Sequence, residues 1–210
     1  MTSMDRIPLF LYRTFDKKYQ ANAFINHGHF RLGLLDNYHD TDSMPRQDPH
    51  EGEVNFPILN QNVPVINIQQ QKQIGFTKGT VYYSAVSLNP TYILCASGPE
   101  VTQAVRNGFG RYTIKINNPQ RLLADITNYF QNRICGIAIK EVQYTRNMEI
   151  YSIPKAQSNI DKLPQKAQKY SNECEYRYEV IRRRPHRTNA PTKYLCVHLH
   201  RRLAYLEKCW

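Results

Sequence analysis

Residues 91–97 read Thr-Tyr-Ile-Leu-Cys-Ala-Ser, an apolar run that ends in a hydroxyl. Its length and its β-branched and aromatic content predict a buried strand. A helix is expected to begin at residues 98–100 (Gly-Pro-Glu), because Pro suits a first helical turn, and to continue to about Asn107. Residues 111–116 then alternate as a second strand. Strands with few, separate helices are typical of the α+β class, with a mixed or antiparallel core.

The same signals extend toward the amino terminus. Residues 7–14 predict a first, largely buried strand, and residues 17–27 predict a short helix that Gly28 ends. Residues 30–35 predict the next strand. Residues 37–52 are rich in Asp, Pro, His and Gly, which predicts a long surface loop, and loops of that length are often functional.

The remaining elements are weaker or lie further along the chain. Residues 54–59 and 63–69 predict two strands around an Asn-Gln-Asn turn, and residues 81–88 are expected to pair with 91–97 around Asn89 and Pro90. Downstream we expect an amphipathic helix at 119–130, strands at 134–144, 175–182 and 194–200, and a Lys- and Gln-rich loop with a helix at 152–171.

Charge is unevenly spread along the chain, whose formal net charge is +11. Residues 1–100 are close to neutral, whereas residues 180–210 carry eight Lys and Arg against one acid, Glu207. Such a segment raises the local concentration of anionic partners such as DNA or RNA. We expect one domain over residues 1–210 with a basic segment from about residue 180, and a nucleic acid ahead of an acidic protein as its partner.

Five cysteines at irregular spacing, without a C-x-x-C pair, favour reduced thiols in a cytoplasmic protein over a disulfide framework. No apolar run approaches the roughly 20 residues that a membrane span needs, so we expect no membrane partner. Cys196, His198 and His200 would share one face of the last strand and are candidate metal ligands. No distant fourth ligand is evident, and no metal is predicted.

Three short segments carry the chemistry. Arg13 follows Tyr12 inside an apolar strand, and a guanidinium there needs an anionic partner because burying it alone is very costly. Ser97 ends the strand quoted above. Glu173 and Glu175 lie two apart at the start of a predicted strand, so their side chains are expected to point the same way.

The order Arg, Ser and Glu-x-Glu resembles the R-S-E class of ADP-ribosyltransferases. Further short motifs resemble a group of uncharacterised bacterial proteins with an aromatic-Arg start and a Glu-x-Glu-x-Arg ending; they lie at residues 13–14, 23–28, 31, 38, 46–48, 51–52 and 173–177. The usual Ser-Thr-Ser of the middle motif is Cys95-Ala96-Ser97 here, and Ser84 or Ser87 is a second candidate. The resemblance implies an α+β fold with a split core of two small sheets and a few flanking helices.

The resemblance also implies NAD as substrate and a role for each site residue. Glu175 would stabilise the positive charge that builds on the ribose when nicotinamide leaves, Glu173 would orient or deprotonate the acceptor, and Ser97 would orient Glu175 or the ribose. The guanidinium of Arg13 suits the pyrophosphate. The expected cofactor-binding residues are Arg13, Tyr12, Tyr38, Arg46, Tyr83 and Ser84.

The acceptor stays open between a nucleic-acid base, which the basic segment favours, and a protein arginine. Unregulated transfer would be harmful, so a bacterial or phage-related toxin with a neutralising antitoxin partner is the natural setting. A non-enzymatic nucleic-acid-binding domain is the alternative, since basic and aromatic side chains bind phosphates and bases; its residues would be Arg182, Arg183, Arg184, Arg187, Arg201 and Arg202. A Mg²⁺ nuclease built on Asp48, Glu51 and Glu53 is ranked last.

Overall fold

The computed structural model describes residues 7–35, 55–67, 72–84, 89–144, 166, 168–183 and 191–210. Within these residues there are ten strands and three α-helices. The strands are β1 (Leu11–Phe15), β2 (His29–Leu34), β3 (Asn55–Asn67), β4 (Lys72–Ser84), β5 (Thr91–Ser97), β6 (Tyr112–Ile116), β7 (Ile134–Glu141), β8 (Glu175–Arg182), β9 (Tyr194–His198) and β10 (Leu206–Lys208). The helices are α1 (Lys18–His27), α2 (Gln103–Gly108) and α3 (Pro119–Phe130), and 3₁₀ turns cover Gln131–Arg133 and Gln168–Glu173.

Eight strands form one open sheet, and β3 pairs with β4 in a separate two-stranded ribbon. Every described strand pair is antiparallel. The α+β class with an antiparallel core is therefore confirmed. The expected division into two small sheets differs from the structure, because the larger sheet gathers eight of the ten described strands.

This sheet forks at β5. One edge of β5 pairs with β8 along its whole length, from Thr91 to Ser97. The other edge is shared: β1 pairs with it through Tyr12 and Ser97, and β2 pairs through its last two residues near the start of β5. In the described registers, residues 94–96 have no strand partner on that edge. A gap therefore opens between β1 and β2 in the middle of the sheet.

One face of the sheet carries the hydrophobic core, which α1 and α3 cover. Fully buried side chains include Leu11 of β1, Tyr92 of β5, Tyr178 of β8 and Ile126 of α3. Each such large apolar side chain stabilises the fold by roughly 1.5–3 kcal/mol relative to exposure. The core thus fixes which face of every strand turns outward, since alternate residues point to opposite faces.

The sequence signals for α1 and α3 were local and strong, and both helices are confirmed. Helix α3 spans Pro119–Phe130 as expected, with Pro in its first turn and the Asn118 side chain accepting from the Arg121 backbone N–H at 2.8 Å. Helix α1 ends at Gly28, whose φ of +62° is the left-handed conformation of a glycine cap.

Several other expectations were wrong. The segment Asn60-Gln61-Asn62 is no turn; it lies inside β3, where the register with β4 shifts. Among the described residues, β4 pairs with β3 and not with β5, so the expected pairing of residues 81–88 with 91–97 is not found for residues 81–84. Helix α2 begins later than expected, because Thr102 rather than residues 98–100 caps it. The last strand, β10, had no expected counterpart.

Candidate active site at the fork

A row of polar residues crosses the sheet on the face opposite the core. Tyr12 of β1 pairs with Ser97 of β5, and Ser97 pairs with Glu175 of β8. On the other side Tyr12 pairs with Lys115 of β6. Residues paired in register share one face of a sheet. Three of the predicted site residues therefore lie side by side although up to 163 positions separate them in the sequence.

Glu175 is 5 % exposed and is held by two cations. The Nε of Arg177 lies 2.7 Å from Glu175 Oε1, and the Nζ of Lys166 lies 2.7 Å from Glu175 Oε2. Burial opposes ionisation of the carboxyl, but Arg177 and Lys166 outweigh burial and hold the pKa of Glu175 well below its usual range. Glu175 and Arg177 are thus a buried ion pair.

The side chain of Glu173 also reaches Lys166, although Glu173 does not lie on a strand. It ends the 3₁₀ turn Gln168–Glu173, and Cys174 between the two acids has a left-handed φ of +44°. The Nζ of Lys166 lies 2.7 Å from Glu173 Oε2 as well. Burial raises the pKa of Glu173, and Lys166 opposes that rise. A strained backbone residue between two converging acids is the kind of feature that functional sites retain. We call Lys166, Glu173, Glu175 and Arg177 the acidic corner.

A small cavity of about 80 Å³ lies against the acidic corner. Tyr12, Ser97 and Phe109 line it together with Lys166 and both acids. Cys95 also lines it, and burial raises the pKa of its thiol, so this cysteine is no thiolate nucleophile at neutral pH. The guanidinium of Arg106 lies over the Tyr12 ring at 4.3 Å, so one face of this ring is already covered.

Arg13 points away from Tyr12 and bridges the gap in the fork. Its Nη1 donates to the carbonyl of Cys95 at 2.6 Å, which is the backbone group that β1 and β2 leave open. Its Nε is buried and has no hydrogen-bond partner among the described residues. Arg13 was expected to have an anionic partner. Glu175 is not that partner, because its carboxylate binds Arg177 and Lys166.

A larger crevice of about 430 Å³ opens at the fork beside Arg13. Residues from both faces of the sheet line it, including Leu94 from the core face and Arg31 from the polar face. His29 and His198 also line it, with ring centroids 4.5 Å apart. We call this space the cationic crevice after Arg13 and Arg31; Asp16 also lines it. A concave site of this size is within the usual range for small ligands, and its charges fit an anionic one.

The predicted nucleic-acid residues that the structure describes do not form one continuous patch. Arg182 ends β8 beside the start of β5, and Arg183 next to it is exposed. Arg201 and Arg202 follow β9, which ends beside the start of β2 at the opposite end of the sheet. Arg201 is paired with the buried Asp125 of α3, whereas Arg202 is exposed.

Some predicted residues lie outside the described part of the chain. These are Tyr38, Arg46, Arg184 and Arg187, together with Ser87 and the nuclease candidates Asp48, Glu51 and Glu53. Tyr83 and Ser84 lie on β4 opposite Phe56 and Asn55 of β3. The structure thus brings together Tyr12, Ser97, Glu173 and Glu175, with Arg13 behind them at the fork.

Sequence reasoning missed three residues of the site. Lys166 lies in a Lys- and Gln-rich stretch, where no spacing distinguishes it from its neighbours. The Tyr144 hydroxyl accepts from the Glu175 backbone N–H at 2.8 Å, and Arg106 covers Tyr12. The partnership of Arg177 with Glu175 had a signal, because residues two apart on a strand share a face.

Strand β9 and the residues that follow it do not assemble a metal site in the structure. Cys196 and His198 lie on one face of β9, but His200 follows the strand with a left-handed φ of +54°. Among the residues that the structure describes, no group of three His, Cys, Asp or Glu side chains could hold a metal ion. No helix in the same residues is long and apolar enough to cross a membrane.

Comparison of the chain with protein-family models, with curated proteins and with solved structures gives no match. The resemblance to ADP-ribosyltransferases therefore rests on the quoted motifs.

Proposed function

We propose that the protein transfers ADP-ribose from NAD to a macromolecule, with a nucleic-acid base as the preferred acceptor. One observation carries the proposal. A buried carboxylate that stays ionised, Glu175, lies in register with Ser97 and Tyr12 next to a crevice lined by Arg13 and Arg31. That arrangement offers negative charge for a cationic sugar on the polar face of the sheet, and positive charge for a pyrophosphate in the crevice beside Arg13.

The reaction needs these charges in this order. The bond between C1′ of the ribose and the nicotinamide nitrogen breaks, and its electron pair neutralises the pyridinium. C1′ then carries positive charge, which an ionised Glu175 stabilises. The acceptor nitrogen or oxygen bonds to C1′ and loses a proton, which Glu173 is placed to take because burial raises its pKa.

The cationic crevice would bind the adenosine diphosphate half of NAD. The planar fork of Arg13 suits two phosphate oxygens, and its unpartnered Nε leaves a donor for them. The crevice volume of about 430 Å³ fits an adenosine diphosphate better than the 80 Å³ cavity does. We therefore place nicotinamide ribose at Glu175 and the pyrophosphate at Arg13.

The acceptor follows from charge. A net charge of +11 favours a polyanion, and the exposed Arg183 and Arg202 are available to its phosphates. A protein arginine is the second acceptor class. Because such an activity is harmful when unregulated, a neutralising antitoxin protein is part of the same proposal.

The test incubates the protein with labelled NAD and, separately, with RNA, DNA and cell lysate. We expect Glu175→Gln to lower transfer at least about hundredfold, because the sugar cation loses its charged partner. Glu179→Gln is the matched control, since Glu179 is a buried, ion-paired acid on the same face of β8. Equal loss in both variants would show a structural effect instead.

The labelled fraction identifies the acceptor class. Label on RNA or DNA supports the base as acceptor, and label on lysate protein supports an arginine. If no label moves and no nicotinamide is released, while RNA is still retained by the protein, the chain is a nucleic-acid-binding domain and the transferase proposal is wrong.

A further inference from the structure

Lys166 places its ammonium directly between the two acids of the candidate site. Its Nζ lies 2.7 Å from Glu173 Oε2 and 2.7 Å from Glu175 Oε2. The residue is 7 % exposed, and its backbone N–H donates to the Gln143 carbonyl at 2.9 Å, just beyond β7. The backbone of Lys166 is therefore held beside the sheet while its side chain reaches into the acidic corner.

The charges of the acidic corner cancel. Glu173 and Glu175 carry two negative charges, and Lys166 and Arg177 carry two positive ones. In a buried site an unscreened charge acts strongly, so this neutral group of four attracts a sugar cation weakly. Without the Lys166 ammonium the remaining three groups would carry one net negative charge, which complements the cation.

The volume of the cavity also limits what can bind beside Glu175. The cavity that Lys166 lines measures about 80 Å³, whereas pockets for small ligands are roughly 300–1,000 Å³. A nicotinamide ribose cannot enter such a cavity while the side chain of Lys166 fills the space beside Glu175. The same side chain therefore closes the site sterically and neutralises it.

We propose that Lys166 is an internal counter-ion that blocks the site, with its ammonium in the position of the positively charged sugar carbon, and that turnover requires its withdrawal. This inference rests on the proposed transferase function. The other titratable groups that face the ammonium are Tyr144 and Tyr170, besides Cys95 across the cavity. Burial raises the pKa of Tyr144, so this phenol adds no charge at neutral pH.

Two substitutions separate the charge of Lys166 from its volume. Lys166→Ala removes both, whereas Lys166→Met removes the charge and keeps most of the volume. We expect Lys166→Ala to bind NAD at least tenfold more tightly in calorimetry and to release nicotinamide faster. Lys166→Met should gain less. Lys140→Ala, which breaks the Lys140–Glu179 pair on the same face of the sheet, should leave both quantities unchanged. Weaker NAD binding by a folded Lys166→Ala would overturn the proposal.

A small amine tests the position of the ammonium without NAD. Propylammonium replaces the atoms that Lys166→Ala removes, so it should raise the unfolding temperature of this variant and leave the native protein unchanged. In the same variant it should slow nicotinamide release. If the amine stabilises the variant but no form of the protein binds NAD, the transferase proposal fails while the position of the cation stands. If the amine has no effect on Lys166→Ala, the blocking role is wrong.

Discussion

The acidic corner and the cationic crevice both lie near the fork at β5, but they differ in how their charged side chains are paired. In the acidic corner, Glu175 contacts Arg177 and Lys166 at 2.7 Å each, and no net charge remains. In the crevice, Arg13 donates to a backbone carbonyl, and the guanidinium of Arg31 lies 5.6 Å from the centre of the Tyr194 ring. Neither arginine has a described carboxylate partner.

This difference in pairing predicts that some charged residues act on stability and others on ligand binding. A buried ion pair contributes little net stability, but loss of one partner is costly because the other charge stays buried. A cation that has only neutral partners keeps its charge available for a ligand. Loss of Arg177 should therefore act mainly on folding, and substitution of Arg13 mainly on anion affinity.

The largest expected effect is that of Arg177→Met on folding. Arg177 is 1 % exposed and binds Glu175 through Nε, so its loss leaves a buried carboxylate with one fewer cation. We expect the free energy of unfolding, measured with urea, to fall by about 3–5 kcal/mol. Arg121→Met is the control, because Arg121 is largely exposed and Asp125 keeps Arg201 and Tyr205; about 1 kcal/mol or less is expected there. Equal losses of unfolding free energy in Arg177→Met and Arg121→Met would contradict the prediction.

Arg13→Met should act mainly on anion binding. Hydrogen bonds to charged groups contribute about 1.5–3 kcal/mol, so NAD or pyrophosphate affinity should fall about ten- to hundredfold in calorimetry. A smaller loss of stability is expected, since the Cys95 carbonyl loses its donor. Arg13→Lys keeps the charge without the planar fork and should recover only part of the affinity. If stability falls as much as in Arg177→Met while affinity is kept, the crevice is a structural feature.

The sequence was sufficient where the physics is local. Helix α3 was predicted with its observed bounds, because Pro at its start and the apolar stripe of Leu122, Ile126 and Phe130 are read from adjacent turns. Strand β8 was predicted over residues 175–182 from its alternation, and Gly28 marked the end of α1. These signals need no information about the rest of the chain.

The fork and Lys166 depend on contacts that no local pattern encodes. The register that aligns Tyr12, Ser97 and Glu175 joins strands far apart in sequence, and β5 has two partners on one edge only because β1 and β2 diverge. Lys166 resembles its neighbouring lysines in sequence, so no local pattern identifies it as the residue that contacts Glu173 and Glu175. The sequence therefore predicts a set of candidate site residues, of which the structure brings Tyr12, Ser97, Glu173 and Glu175 together, but it does not predict their charge balance.

The smallest expected effect concerns the histidines of the crevice and its pH dependence. Burial lowers the pKa of His29, and so do the nearby His198, His200 and His27. The unfolded chain then takes up its proton at about pH 6.5, before the folded protein does, so stability should fall as pH drops below that value. His29→Gln should flatten this dependence of the unfolding temperature, whereas His27→Gln, which keeps the other three rings together, should change it less. Added pyrophosphate should restore part of the stability at acidic pH because it pairs with the repelling cations. A native protein whose unfolding temperature is constant from neutral to mildly acidic pH would contradict the prediction and with it the contrast between the two regions.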